Sequence, residues 1–418
     1  MSKRNHTFSG TIRYYLVIGS LFFLSLGTCT EDKPTKPNSK TPNSKTPKSL
    51  VFKDSEVEKL FGNGKLDEAL RGGYTMFKDE QLKCINAKLA ALSTEEKYKL
   101  RGKLCIAVQQ GTQVTSKDWG RNLLTNATHL INQVYVSACS VSYAGNDKKL
   151  WEPLATFVLK AAYEATLRWA FINAPDRPVF LTQVGGGAFG NDMVWVRKAI
   201  DYARKEVGRS GLTVYEIDYD KTSHQDLGKD DNTYTNKAGK DWFQALFGCE
   251  DTKIKEEYDL IDVGNNSYKM KHKTDPTKVF TMGRFSTPSL AELRERSKGI
   301  SSASPMNIVK VGKYVSKHQA HSENKGATFQ AASQFNGLEF VGPTVTPEEG
   351  IQKYVNDTTQ GPACAIGCAA GTVFRNYYAS VGKDGRLASS AAGSGQTKHN
   401  QLSLLKPLLV PLLGGLKE

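Results

Sequence analysis

The sequence predicts an α/β fold around a mostly parallel sheet, and three observations carry that reading. Residues 133–143, QVYVSACSVSY, and 179–184, VFLTQV, are short and uncharged, which suits strands covered on both faces. Between them, residues 151–170 place Leu154, Val158, Ala162 and Leu167 at helical spacing, and a third strand pattern, LTVYEI, follows at 212–217. Strand, helix, strand, helix, strand with short connections means parallel pairing, and ligands of such sheets sit beyond the carboxyl ends of the strands.

Taken from the start, the chain carries Lys3, Arg4 and Arg13, an apolar run at 14–26, and then Leu26-Gly27-Thr28-Cys29. This reads as a bacterial export signal ending at a lipidated Cys29, so residues 1–29 are expected to anchor an exported protein to a membrane, facing the periplasm or the exterior. Thr28 stands where a small residue is usual, which leaves a plain signal peptide or an uncleaved anchor as alternatives. The run is too short for a comfortable transmembrane span. Residues 30–50, rich in Lys, Pro, Ser and Thr, read as a solvated tether. The remainder divides into 51–220, a polar linker or surface loop at 221–250, and 251–418, the last completing the same domain as the first.

At 418 residues with 39% apolar side chains, the chain can bury a proper core. The formal charge of +14 is inflated by five lysines between Glu31 and Ser49, and no arginine-rich stripe with interleaved aromatics appears. No nucleic-acid partner is expected; a cleft for an anionic nucleotide accounts for the charge equally well. Cys84, Cys105, Cys139, Cys249, Cys364 and Cys368 form no CxxC or Cys/His spacing, so the expectation is no metal, no cofactor, and thiols that act as small buried hydrophobes.

Within the first half, GNGKLDEALRGG at 62–73 reads as a glycine loop opening a helix that runs past Tyr74 to Leu92, with Asp67 in its first turn; a capping carboxylate is the plainer role for that residue. Strands are expected at 104–108 and 133–143. Gly185, Gly186, Gly187 and Gly190 then let backbone approach a ligand and leave N–H groups free at a helix entry, an anion site unless the turn serves packing alone. In the second half, 242–297 is mixed, with a helix at 290–297. Residues 327–340, ATFQAASQFNGLEF, read as a strand ending in Ser333, Gln334, Asn336 and Glu339. A short helix at 346–357 carries Glu348 and Glu349 in its first turn. Gly361-Pro362 then opens a small-residue helix, with the proline at the first helical position and a second anion site beside Asp357 and Gln360.

These segments carry a resemblance. VYVSACSVSY, helix, VFLTQVGGGAFGN, helix, strand resembles the second half of a macrodomain, an ADP-ribose-binding α/β/α fold, and FQAASQFN followed by TQGPACAIGCAAGTV resembles the first half. The halves stand in reverse order, which makes the chain a circular permutant on this reading, and it is more distantly similar to effector-type ADP-ribosyl-ubiquitin hydrolases. The resemblance spans about residues 70 to 400. It implies a macrodomain-like three-layer fold with additional helices and, as ligand, ADP-ribose or an ADP-ribosylated protein, bound by a monomer. By the resemblance, Gly185, Gly186, Gly187, Ala188, Phe189, Gly190 and Asn191 hold the diphosphate, with Gln360, Gly361 and Pro362 as the facing loop. Asn336 holds the ribose. Hydrolysis at the anomeric carbon builds positive charge on the ribose, so carboxylates are the expected catalytic groups: Asp357, Glu339, Glu348 and Glu349. The family's NAAN motif and first-loop GGGV run are absent, TQGP standing in their place. If GNGKLDEAL is instead the true first loop, Asp67 becomes catalytic. Two other readings remain: a module that binds ADP-ribose without hydrolysing it, and a surface lipoprotein with an adhesion role.

Overall fold

The computed structural model describes residues 53–217, 241–312 and 314–415, and of residues 389–391 the backbone alone. Cys29, the export signal, the tether and residues 221–240 lie outside them. The described residues form one compact unit.

Its centre is a nine-stranded sheet in the order β8-β4-β3-β9-β2-β1-β7-β6-β5. The strands are β1 (Ala107–Gln113), β2 (Leu130–Val136), β3 (Val179–Leu181), β4 (Thr213–Ile217), β5 (Tyr258–Asp262), β6 (Ser267–His272), β7 (Val279–Ser286), β8 (Asn307–Val311) and β9 (Thr328–Ala332). From β8 to β2 every pairing is parallel; from β2 to β5 every pairing is antiparallel. The expected parallel sheet thus extends over five adjacent strands and continues into an antiparallel flank, which makes the whole sheet mixed. Its antiparallel flank comes from 258–286, where half-exposed strands such as SYKMKH alternate too weakly to declare themselves in the sequence.

The expected unit of strand, helix, strand, helix, strand is present as β2, α5 (Lys148–Asn173), β3, α6 (Met193–Val207) and β4. Helix α5 starts where Asp147 accepts the Lys149 N–H, and it buries Leu154, Val158, Ala162 and Leu167 as their spacing predicts. Helix α6 starts on Asp192, packs along α5 and buries Trp195, Val196 and Ile200. Around them lie α1 (Asp54–Phe61), α2 (Lys65–Ala69), α3 (Asp79–Ala91) and α4 (Thr94–Arg101), with α3 and α4 against α5. Helix α7 (Trp242–Phe247) buries Trp242, Phe243 and Phe247, so the surface loop expected at 221–250 gives way to core there. The short α8 (Ile254–Glu257) follows, and α9 (Leu290–Arg296) covers α5 beside the antiparallel flank.

The wholly buried Glu164 on α5 binds that flank to the parallel half. Arg294 of α9 grips it through Nη2 at 2.6 Å and Nε at 2.8 Å, and Arg168 adds a third contact at 2.8 Å. Two guanidinium groups and short charge-assisted bonds are what allow a carboxylate this deep in the protein.

Helices sit on both faces of the sheet, and β9 shows which goes where. Gln330 turns its amide toward α5, donating to Thr166 Oγ1 at 2.9 Å and accepting the Thr182 N–H at 3.1 Å. Phe329 points the other way, stacking on Phe180 at 4.5 Å, and His318 of α10 (Val315–Gln319) also stacks on Phe180. Gln133, in register with Phe329, donates to the Cys364 carbonyl of α11 (Gln360–Gly367). The chain thus leaves β3 and β2 toward the α5 face and leaves β9 toward the α11 face. Parting connections of this kind define the crevice where open sheets bind ligands.

Several expected boundaries shift for identifiable reasons. The helix expected from the GNGKLDEAL loop to Leu92 is broken between Ala69 and Asp79, because Gly72 and Gly73 take left-handed backbone. The strand expected at 104–108 lies at 107–113, and the strand expected at 133–143 spans 130–136 before a buried loop in which Cys139 sits. The strand of 327–340 ends at Ala332. Residues 346–357 form two short 3-10 turns parted by Gly350, and the small-residue helix breaks at Cys368 before α12 (Ala369–Val373), a π-helical turn Phe374–Tyr378 and, later, α13 (Lys406–Leu412). Pro362 is the third residue of α11, not the first. The six cysteines from Cys84 onward are free and buried, as their surroundings predict.

Candidate functional site

Because the five parallel strands run the same way, the loops after β2, β3 and β9 meet at one edge of the sheet. The glycine loop follows β3. Gly185 and Gly190 both have left-handed backbone, and a Cβ on Gly190 would run into the Ser142 hydroxyl of the neighbouring loop. Asn191 closes the loop, its Nδ2 donating to the Cys139 carbonyl at 2.7 Å and to the Gly185 carbonyl at 3.3 Å, and its N–H to the same Gly185 oxygen. Gly190 N–H bonds the Gly187 carbonyl, and the Phe189 carbonyl accepts Ser142 N–H. The N–H groups of Gly187, Ala188 and Phe189 are left with no acceptor among the described residues, and Gly187 and Ala188 are exposed. Consecutive free N–H groups on an exposed loop form an anion-binding concavity.

Phe189 leans on a small aromatic group that the sequence reading missed, with centroids 5.2 Å from Tyr74 and 5.6 Å from Tyr143. Tyr74 is buried and donates to the Phe340 carbonyl. Burial, with Tyr143, Asp357 and Glu339 nearby, pushes its phenol far above the usual range. Thr75 and Ser140 lock their two loops together by reciprocal bonds of 2.8 Å. The glycine pair at the break before α3 was the available signal: a Cβ on Gly73 would lie 2.8 Å from Asn336 Oδ1, so the bare backbone lets this loop press against the one after β9.

That third loop keeps its polar side chains to itself. Gln334 bridges Phe340 by accepting its N–H at 2.8 Å and donating to its carbonyl at 3.1 Å. Asn336 is wholly buried, accepting the Leu338 N–H at 3.0 Å and donating to Gln401 Oε1 at 2.8 Å. Its amide is thus occupied inside the protein, where a ribose contact was expected. Glu339 is also buried, its N–H held by the Tyr354 hydroxyl at 3.0 Å. One carboxyl oxygen, Oε1, has no partner, and the other lies against Gly361, where a Cβ would collide with it and with the Ala332 carbonyl. Burial drives the Glu339 carboxyl well above the carboxylate range, against the pull of Arg375 and the Ser333 hydroxyl, and Asp357 reinforces the rise. The α11 entrance expected as a second anion site is therefore filled at Gly361 by a carboxyl of the protein itself.

Asp357 is half-buried just ahead of α11, accepting the Thr359 N–H at 2.8 Å, while Trp119 donates to its carbonyl. The other expected acids are placed elsewhere. Glu348 is exposed and takes the Lys398 N–H at 2.9 Å, which lowers its pKa. Glu349 pairs with Lys353 at 3.1 Å and lines a separate surface cavity of about 390 Å³ with Asp251 and Gln352, none of whose walls comes from the glycine loop. Asp67 is exposed, lies in the first turn of the short helix α2 rather than after a strand, and faces Lys406 at 3.2 Å, as a helix-start carboxylate does.

Like several other places in the interior, the edge holds buried polar atoms with no partner among the described residues: Thr182 Oγ1, Asn191 Oδ1, Glu339 Oε1 and Gln360 Nε2. Such atoms are costly unless something else meets them, and a ligand or ordered water at the crevice is the ordinary answer. No group of three or more metal-ligating side chains occurs among the described residues. Comparison with protein-family models, with curated proteins and with solved structures finds no match for this chain.

Proposed function

We propose that the chain recognises ADP-ribose in a macrodomain-like crevice at the carboxyl edge of β2, β9 and β3, and hydrolyses it from a modified protein or small acceptor. The observation that carries the reading is the row of unpaired N–H groups at Gly187, Ala188 and Phe189, exposed where the chain parts to opposite faces. A diphosphate supplies the acceptors this row lacks. Across the crevice stand two carboxyl groups in unlike surroundings, a half-buried Asp357 and a buried Glu339 that holds its proton. Pairs pushed apart in this way suit acid and base roles at one glycosidic bond. Titration calorimetry on the compact unit tests binding: heat with ADP-ribose is expected, and none at millimolar ligand removes the reading. Asp357→Ala is expected to abolish release of ADP-ribose from modified proteins.

One observation favours a second reading, that of a binder without catalysis: the Glu339 carboxyl is buried, with one oxygen against Gly361. Retained binding with no release from any modified substrate would select it. Export through a lipidated Cys29 belongs to the same proposal, and labelled palmitate reaching the wild type but not Cys29→Ala checks it.

A further inference from the structure

Arg375 is the strangest residue of the interior. It sits on the π-helical turn, is wholly buried, and has no carboxylate within ion-pair distance among the described residues. Its guanidinium lies over the Tyr135 ring at 3.8 Å. Nε donates to the Gly337 carbonyl at 3.1 Å and Nη2 to Thr372 Oγ1 at 3.1 Å, while Nη1 has no partner. Gly337 belongs to the loop that carries Glu339 two residues later, and Gln396 ties the same loop down by donating to both the Asn336 and Arg375 carbonyls. A π-turn adds one residue to a helix, which turns the side chains after it, and such turns recur at functional positions.

A donor without an acceptor on Arg375 and an acceptor without a donor on Glu339 are both buried, and the Arg375 bond to Gly337 ties their segments together, while Arg375 pulls the Glu339 pKa down against burial. Cys364, Tyr135 and Tyr354 feel the Glu339 charge and all titrate far from neutrality, and Asp357 acts on Glu339 from the α11 side.

We propose that Arg375 is the positioning residue of Glu339: through Gly337 it fixes the depth of the acid below the crevice, and its free N–H takes the carboxylate once the proton has been given up. In the hydrolytic reading, on which the kinetic part of this proposal rests, the glycosidic bond breaks with its electron pair going to the leaving atom. That atom receives the Glu339 proton, and water forms the new bond to the anomeric carbon while its own proton passes to the Asp357 carboxylate. The negative charge then left on Glu339 meets the counter-charge of Arg375, which no solvent could provide at this depth.

The test follows the Glu339 carboxyl in full-length protein labelled at the glutamate carboxyl carbon, its resonance assigned by its absence in Glu339→Gln. Arg375→Gln is expected to move the Glu339 titration to higher pH, and to lower the rate constant for ADP-ribose release by at least about tenfold with KM nearly unchanged. Arg375→Lys, which keeps the charge but cannot reach both Gly337 and Thr372, is expected to hold the titration near the wild-type position and still slow release. An unmoved titration in folded Arg375→Gln overturns the proposal. So does full-speed release by Arg375→Lys, which carries the test if Arg375→Gln does not fold. Should the wild type release no ADP-ribose at all, the hydrolytic reading fails, and the titration still decides whether Arg375 and Glu339 are coupled.

Discussion

The two halves of the sheet treat their polar groups and their loops differently. In the antiparallel flank, successive strands reverse, so loops alternate between the two ends and no edge collects them. Strands β5 to β7 contain none of the buried polar atoms that lack a partner among the described residues. In the parallel half, every strand ends at the same edge, and Thr182, Asn191, Glu339 and Gln360 leave such atoms there. The outer strands β5 to β7 are satisfied among the described residues; the parallel edge is not. Buried atoms elsewhere also lack a partner, Gln109 and Thr112 of β1 among them, but at the parallel edge such atoms stand beside an exposed glycine loop, where a ligand can reach them.

The sharpest way to break the comparison is to part the halves. Glu164→Ala leaves Arg168 and Arg294 buried with no counter-charge and should cost about 3–5 kcal/mol, read as a lowered denaturant midpoint. An effect near zero would mean that α9 does not bind the flank to the parallel half.

Next comes the pH behaviour of Glu339. Its folded form binds a proton more tightly than the unfolded chain, whose glutamates titrate near about 4.3. The native state is therefore unpenalised below that pH, and loses stability as pH rises from there through the folded pKa. Glu339→Gln removes the slope: urea unfolding should find the variant level with the wild type in acid and more stable at neutral and alkaline pH. A constant difference across pH would refute the buried, protonated acid.

A smaller effect sharpens the claim for the edge itself. Ala188→Pro deletes one N–H from the row and should weaken ADP-ribose binding about tenfold, roughly 1.4 kcal/mol. Gly187→Ala, whose Cβ meets nothing within 4 Å, should bind as the wild type does. Equal losses in both would show that loop shape matters rather than the N–H row. Smallest of all, Asp67→Ala should cost only a helix-start and surface interaction, about 0.3–1 kcal/mol, with activity kept. Activity lost there and kept in Asp357→Ala would move catalysis to the other end of the chain.

How far the sequence could be read follows the same division. The run from β2 to β4 was legible because both strands and helices there are buried on the faces their periodicities announce. The flank was not, since β6 hides only Tyr268 and Met270 between lysines. At the site, the glycine loop was visible and its partners were not. Phe335, Leu338 and Phe340 looked like strand because they are buried, yet Gln334 and Asn336 fold that stretch into a loop by bonding its own backbone. Gly72-Gly73 carried a sign that the helix must break, but nothing local says what presses against it. Arg375 left the faintest trace, a lone arginine in the otherwise uncharged run TVFRNYY, and its meaning depends on a loop nearly forty residues away.

The position of β9 has a consequence for the order in which the molecule can be assembled. It lies between β2 and β3, although it is made some two hundred residues after β2 has left the ribosome. Until then β2 and β3 each present an unpaired edge, with Phe180 lacking the ring of Phe329 and the α5 hydroxyl of Thr166 lacking Gln330. A nascent chain ending before residue 328 thus has a slot rather than a sheet, exposed to wrong strand pairing, and closing it is a long-range and intrinsically slow event. The crevice forms in that same step, because one of its walls is the loop that β9 delivers.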